Sequence, residues 1–169
     1  GLGSREELDA DAFRTAAAAV AHETVGYAGT LAWALDRALA LPVEEQARAV
    51  VEGTAIGSYE TARWKRDERK AKLESLVLCG EGDGLADAAK RAATVAEWTN
   101  RARDLVNSPP NETTPERLAE RAQEIATSVQ HVSADALGPD QIEKLGMGAL
   151  AAVAQGSDNP ARLVVLRYD

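Results

Sequence analysis

Cysteine occurs once in these 169 residues, histidine twice, and phenylalanine and methionine once each. With Cys79 alone, no internal disulfide is possible, and a reducing cytoplasm is the compartment that fits. Cys79, His22 and His131 are the only soft metal ligands, widely spaced and in no recognisable motif. Aromatic residues are scarce, at 4%. Lysine and arginine number 19 against 27 acids, and the net charge of −8 opposes general nucleic-acid binding, where phosphate contacts dominate affinity. No apolar run approaches the roughly 20 residues of a membrane helix, so no span is expected. The N-terminus lacks a basic region followed by an apolar run, so it is not read as a signal peptide. It also lacks a starting methionine, and the chain is expected to begin inside a longer product.

Abundant alanine favours helix, and the hydrophobic fraction of 45% is ordinary for a globular chain. Phe13, Ala17, Val20 and Ala21 define one helical face after the start signals Asp9 and Asp11. Gly29–Leu35 reads as a strand. A second helix from Val43 aligns Ala47, Val50, Val51 and Thr54. Gly53 and Gly57 lie four apart on it, each costing about 1 kcal/mol relative to alanine, which close packing against another backbone would explain. Leu76–Cys79 is a candidate buried strand. A long helix then carries a stripe of Leu85, Ala88, Ala92, Val95, Thr99, Ala102 and Val106. Leu118, Ala122 and Ile125 mark a further helix, and Val129–Val132 a strand. Ile142 and Leu145 suggest a short helix closed by Gly146, while Ala149–Ala154 fits helix or strand. Leu163–Leu166, apolar at consecutive positions, reads as a strand buried on both faces. The alternation indicates α/β architecture.

Each candidate for chemistry has a plainer explanation. Strand, Gly80-Glu81-Gly82-Asp83-Gly84 and helix resemble a phosphate loop in layout. Leu85 occupies the place of the third fingerprint glycine, however, and two acids would face the phosphate, so a glycine-rich connection is the better reading. His22-Glu23 opens like H-E-x-x-H, but Gly26 stands where the second histidine must be. His131 is read as a structural or solvated residue. Ser157 lies in Gly156-Ser157-Asp158-Asn159-Pro160, which is turn chemistry and not a nucleophile elbow. Cys79, inside an apolar run, is expected to be a buried, inert thiol. Arg63 to Lys72 holds six cations against two acids with Trp64 among them, a possible contact for phosphate or a partner but more simply a solvated helix end. No catalytic, cofactor-binding or metal-binding residue is assigned to this chain.

One interruption of the helical pattern is specific. Asn107-Ser108-Pro109-Pro110-Asn111 fixes two φ angles and removes two backbone donors. Asn107 and Asn111 are expected to fold their amides onto nearby backbone. Thr114 then serves as an N-cap with Pro115 in the first helical position. With Arg103-Asp104-Leu105-Val106 before it, this corner resembles the junction of the cytosolic leucyl aminopeptidase family. A second block stands in the family's order: Leu145-Gly146-Met147-Gly148-Ala149-Leu150, Gln155-Gly156-Ser157, Pro160, and Arg162 to Leu166 with Tyr168.

The resemblance implies the later part of an N-terminal α/β domain (1–84), a long connecting helix (85–107) and the first elements of an α/β catalytic domain (108–169). It further implies a cytoplasmic, homo-hexameric exopeptidase that releases N-terminal residues, often leucine, from peptides. Two divalent ions, zinc, manganese or magnesium, would activate water and polarise the scissile carbonyl. The family's ligands lie near G-K-G-x-x-F-D-S-G-G and N-T-D-A-E-G-R, motifs this sequence does not contain. The chain is therefore expected to be an inactive scaffold segment, holding no metal itself, with no membrane partner and with its net charge disfavouring nucleic acid. The alternative is a non-catalytic assembly or DNA-binding module using Arg63–Lys72, since some members of that family bind DNA through their N-terminal regions.

Overall fold

The computed structural model describes residues 3–5, 8–24, 27, 29–60 and 73–169. The basic stretch Arg63–Lys72 lies outside the described residues. The fold is α/β, in two compact units, Gly1–Asn107 and Ser108–Asp169.

The first unit runs α1 (Ala10–Glu23), β1 (Gly29–Ala34), α2 (Val43–Gly57), β2 (Leu73–Cys79) and α3 (Leu85–Asn107). Asp9 caps α1 as its position suggests: its carboxylate accepts from Ala12 N–H at 2.8 Å. Strands β1 and β2 pair in parallel, which requires the crossover that contains α2. Phe13, Ala17, Ala49 and Val50 form the core, with Trp33, Leu76 and Leu78 of the strands packed against it.

The glycines of α2 find their explanation in α1. A Cβ at Gly53 would lie 2.2 Å from the carbonyl oxygen of Arg14, and one at Gly57 would lie 2.3 Å from that of Ala18. The two helices thus touch backbone to backbone, and an ion pair at 2.8 Å between Arg14 Nε and Glu52 flanks the contact. That hydrogen bond raises the Arg14 pKa above its ordinary value. Gln46, fully buried on α2, had no counterpart in the sequence reading. Its amide donates to the carbonyls of Asp36 and Leu41 at 2.8 and 2.7 Å and accepts from Asp36 N–H at 3.1 Å, tying down the loop before the helix. One polar residue between Val43, Ala47 and Val50 was the available signal.

Thr54, on the same helix, is buried, and its hydroxyl has no hydrogen-bond partner among the described residues. An orphaned buried hydroxyl costs more than its isosteric methyl. Thr54→Val is therefore expected to stabilise the chain by about 1 kcal/mol, read as a raised urea midpoint. A lowered midpoint would show that the hydroxyl is satisfied.

Several sequence expectations need correction. Val20 and Val51 are half-buried, beside and not within the buried faces of their helices. In α3 the buried residues are Ala88, Ala92 and Ala96, whereas Val95, Thr99, Ala102 and Val106 are exposed. Strand β2 begins earlier than predicted and is not buried on both faces. Leu76 and Leu78 meet the core, while Val77 and Cys79 point the other way and are exposed. The period-2 alternation of a strand covered on one side produces this result, so Cys79 is not a buried thiol.

The second unit runs α4 (Pro115–Ser128), β3 (Val132–Leu137), α5 (Pro139–Lys144), α6 (Gly148–Ala154) and β4 (Leu163–Tyr168). Thr114 caps α4 through Arg117 N–H, with Pro115 at the start as predicted. The face of α4 is Ala119 and Ala122, and Leu118 is exposed. Val129 ends the helix instead of opening a strand. His131 then turns the chain at φ +63°, and β3 starts only at Val132. The Ala149–Ala154 segment is helix, part of α6. Strands β3 and β4 pair antiparallel. Leu163–Val165 are half-buried and Leu166 is exposed, so β4 is not buried on both faces. Its sheet has two strands, with α4 the helix that contacts both.

Candidate functional site

The sequence candidates stay apart. His22 lies in the last turn of α1 and is exposed. His131 is an exposed turn residue, edge-on to Tyr168 with ring centroids 6.5 Å apart, and its carbonyl accepts from Asp169 N–H. Gly80–Gly84 serves as a connection. Arg37 donates twice to the Glu81 carbonyl, at 2.9 and 2.6 Å, and Cβ atoms at Gly82 and Gly84 would meet Glu44. A carboxylate thus sits where a phosphate reading needs an anion. The Ser157 hydroxyl accepts from Asn159 N–H at 3.1 Å, a local turn bond. Among the described residues, no three His, Cys, Asp or Glu side chains converge to hold a metal ion. The described residues therefore do not fit a dinuclear centre, and no step through metal can be built on them.

An open groove of about 680 Å³ lies in the second unit, lined among others by Pro139, Ile142, Ala151, Gln155, Asp158 and Pro160. It includes Ser157, whose hydroxyl is engaged in the local turn bond; its titratable lining is Glu143 and Asp158, with no histidine, lysine or cysteine. The groove has the concavity of a binding site, but no bond joins Ser157 to either carboxylate.

The most ordered polar constellation lies where α2 ends against α3. Asn100 Nδ2 donates to the Ala55 carbonyl at 2.9 Å, and Arg103 Nη1 to that of Ile56 at 3.1 Å. The Arg103 guanidinium lies 3.9 Å over the Tyr59 ring. Tyr59 O–H donates to Asp104 at 2.8 Å and accepts from Asn107 Nδ2 at 3.2 Å. Asn107 thus turns its amide to Tyr59 and not, as expected, to nearby backbone. Two of the residues that open the corner motif, Arg103 and Asn107, are explained by this contact. Their partner Tyr59 is more than forty positions upstream, beyond any local pattern.

Comparison with known proteins gives a single answer. Residues 1–68 match the model of the cytosol aminopeptidase family's N-terminal domain, and residues 100–169 match its catalytic domain. The probable cytosol aminopeptidase of Roseiflexus castenholzii is 36% identical over 99% of this chain and 36% of its own length. The cytosol aminopeptidase of Pseudomonas aeruginosa PAO1 is 35% identical over 100% of the chain and 36% of its own length. Among solved structures, the bottromycin maturation enzyme BotP in complex with Mn superposes with a TM-score of 0.87 at 33% identity, over 100% of this chain and 35% of that one. A mutant of tomato leucine aminopeptidase gives 0.88 at 32%, over 98% and 34%. The chain thus spans about a third of the length of these relatives.

Proposed function

Because the chain belongs to the cytosol aminopeptidase family, we propose that it is a segment of a metal-dependent leucyl aminopeptidase and supplies scaffold and interdomain connection without activity of its own. One observation carries this reading. Matches to both family domains occur in a chain a third the length of its relatives. In the whole protein, residues 1–84 would belong to the N-terminal α/β domain, 85–107 to the connecting helix and 108–169 to the start of the catalytic domain. The metals, two ions of zinc, manganese or magnesium, would be held by residues outside this chain. The Mn complex of BotP supports a divalent metal. When bound, such ions activate a water and polarise the peptide carbonyl. The parent would be a cytoplasmic homo-hexamer acting on peptides with N-terminal leucine. No described helix is long and apolar enough to cross a membrane.

Activity tests the reading directly. The purified 169-residue chain, given manganese and leucine p-nitroanilide, is expected to release no nitroaniline above the blank. The full-length Pseudomonas aeruginosa relative serves as positive control. Metal-dependent turnover that co-elutes with the 169-residue species would overturn the proposal.

A further inference from the structure

Helix α3 is held in two different ways along its length. Its first half buries Ala88, Ala92 and Ala96. From Arg101 to Asn107 every residue except Arg103 is exposed, so apolar packing ends before the helix does. What continues is polar. Helix α2 has no basic residue in its last turn, and the carbonyls of Ala55 and Ile56 keep long local bonds, from the Ser58 hydroxyl at 3.5 Å and Tyr59 N–H at 3.4 Å. Arg103 and Asn100 reach across from α3 to bond them, and Arg103 brings the positive charge that a helix C-terminus favours. Tyr59, just past that terminus, carries Arg103 on its ring and bonds Asp104 and Asn107 with its hydroxyl.

We propose that Tyr59, Asn100, Arg103, Asp104 and Asn107 form a polar latch. It fixes the last two turns of α3 to the end of α2 and can open without unfolding the α1–α2 core. Tyr59 is the keystone, since it joins three residues of α3 at once. Asp104 and Asn107 are exposed, Tyr59, Asn100 and Arg103 are half-buried, and none of the five is buried, so opening the latch has a small free-energy cost compared with global unfolding. Because Asn107 immediately precedes Ser108-Pro109-Pro110, an open latch releases the approach to the rigid corner. This inference does not depend on the parent's catalytic activity.

Hydrogen exchange followed by mass spectrometry on the 169-residue chain tests it. Tyr59→Phe keeps the ring under Arg103 and removes only the hydroxyl. Amide exchange in the last two turns of α3 is expected to accelerate about five- to tenfold, the effect of losing hydrogen bonds of ordinary net strength. Exchange in α1 should not change. Asn107→Ala, at an exposed position, should produce the same local pattern, and the double variant should fall short of the product of the two single effects. Unchanged exchange in α3, or equal acceleration in α1 and α3, would overturn the latch.

Discussion

Alanine at Gly53 or Gly57 is expected to destabilise the first unit by about 3 kcal/mol at each site. In an isolated helix the same change gains about 1 kcal/mol, because alanine is the better helix former. Contact with α1 reverses the sign. The new methyl at Gly53 would sit 2.2 Å from the Arg14 carbonyl oxygen, and at Gly57 it would sit 2.3 Å from the oxygen and 2.5 Å from the Cα of Ala18. These are backbone atoms, so no rotamer change relieves the overlap, and the helices must separate. Separation also loosens Phe13, Ala17 and Val50 in the core and lengthens the Arg14–Glu52 pair. Urea unfolding followed by far-ultraviolet circular dichroism measures the loss. Gly148→Ala is the control: nothing lies within 4 Å of its Cβ, and it opens α6, so its midpoint should move little or rise. Unchanged midpoints at Gly53 and Gly57 would mean that α1 and α2 do not cross there.

That pair also shows where the sequence is informative. Two glycines four apart on a helix violate helix propensity, and a violated local rule points to a contact that repays it. The caps at Asp9 and Thr114, the extent of α3 and the closure at Gly146 were legible for a similar reason: each is set by residues next to it. The failures over burial have one cause. Whether Val95, Val77, Cys79 or Leu166 is buried depends on how many layers surround its element, which no local pattern reports. Alternation in β2 was hidden because both faces carry apolar side chains, Leu76 and Leu78 on one and Val77 and Cys79 on the other. For the candidate site, the resemblance identified the family, whereas the latch needed a partner distant in sequence. Asn107 reads locally as turn chemistry, whereas its amide donates to Tyr59, 48 positions away in sequence.

Ile142→Ala is expected to unfold the second unit while leaving the first intact. Ile142 is the only large side chain fully buried in Ser108–Asp169; the other buried hydrophobics there are Ala119 and Ala122. Truncating a buried isoleucine costs about 2–5 kcal/mol. In a unit below roughly 70 residues, a single core rarely supplies more than about 5 kcal/mol. The loss therefore approaches the whole stability of the unit. Leu118, Leu145, Met147, Leu166 and Tyr168 are already exposed and offer no reserve of packing. The consequence is a transition in two steps, since the units have separate cores and need not unfold together. Amides of β3 and β4 should lose protection in Ile142→Ala and bind of a hydrophobic dye should rise, while protection in α1 and α2 persists. Val153→Ala, at a residue 85% exposed, should change stability by less than about 0.5 kcal/mol. If α1 and β3 lost protection together, the two units would not unfold separately and the prediction would fail. If β3 stayed protected, Ile142 would not be the centre of that core.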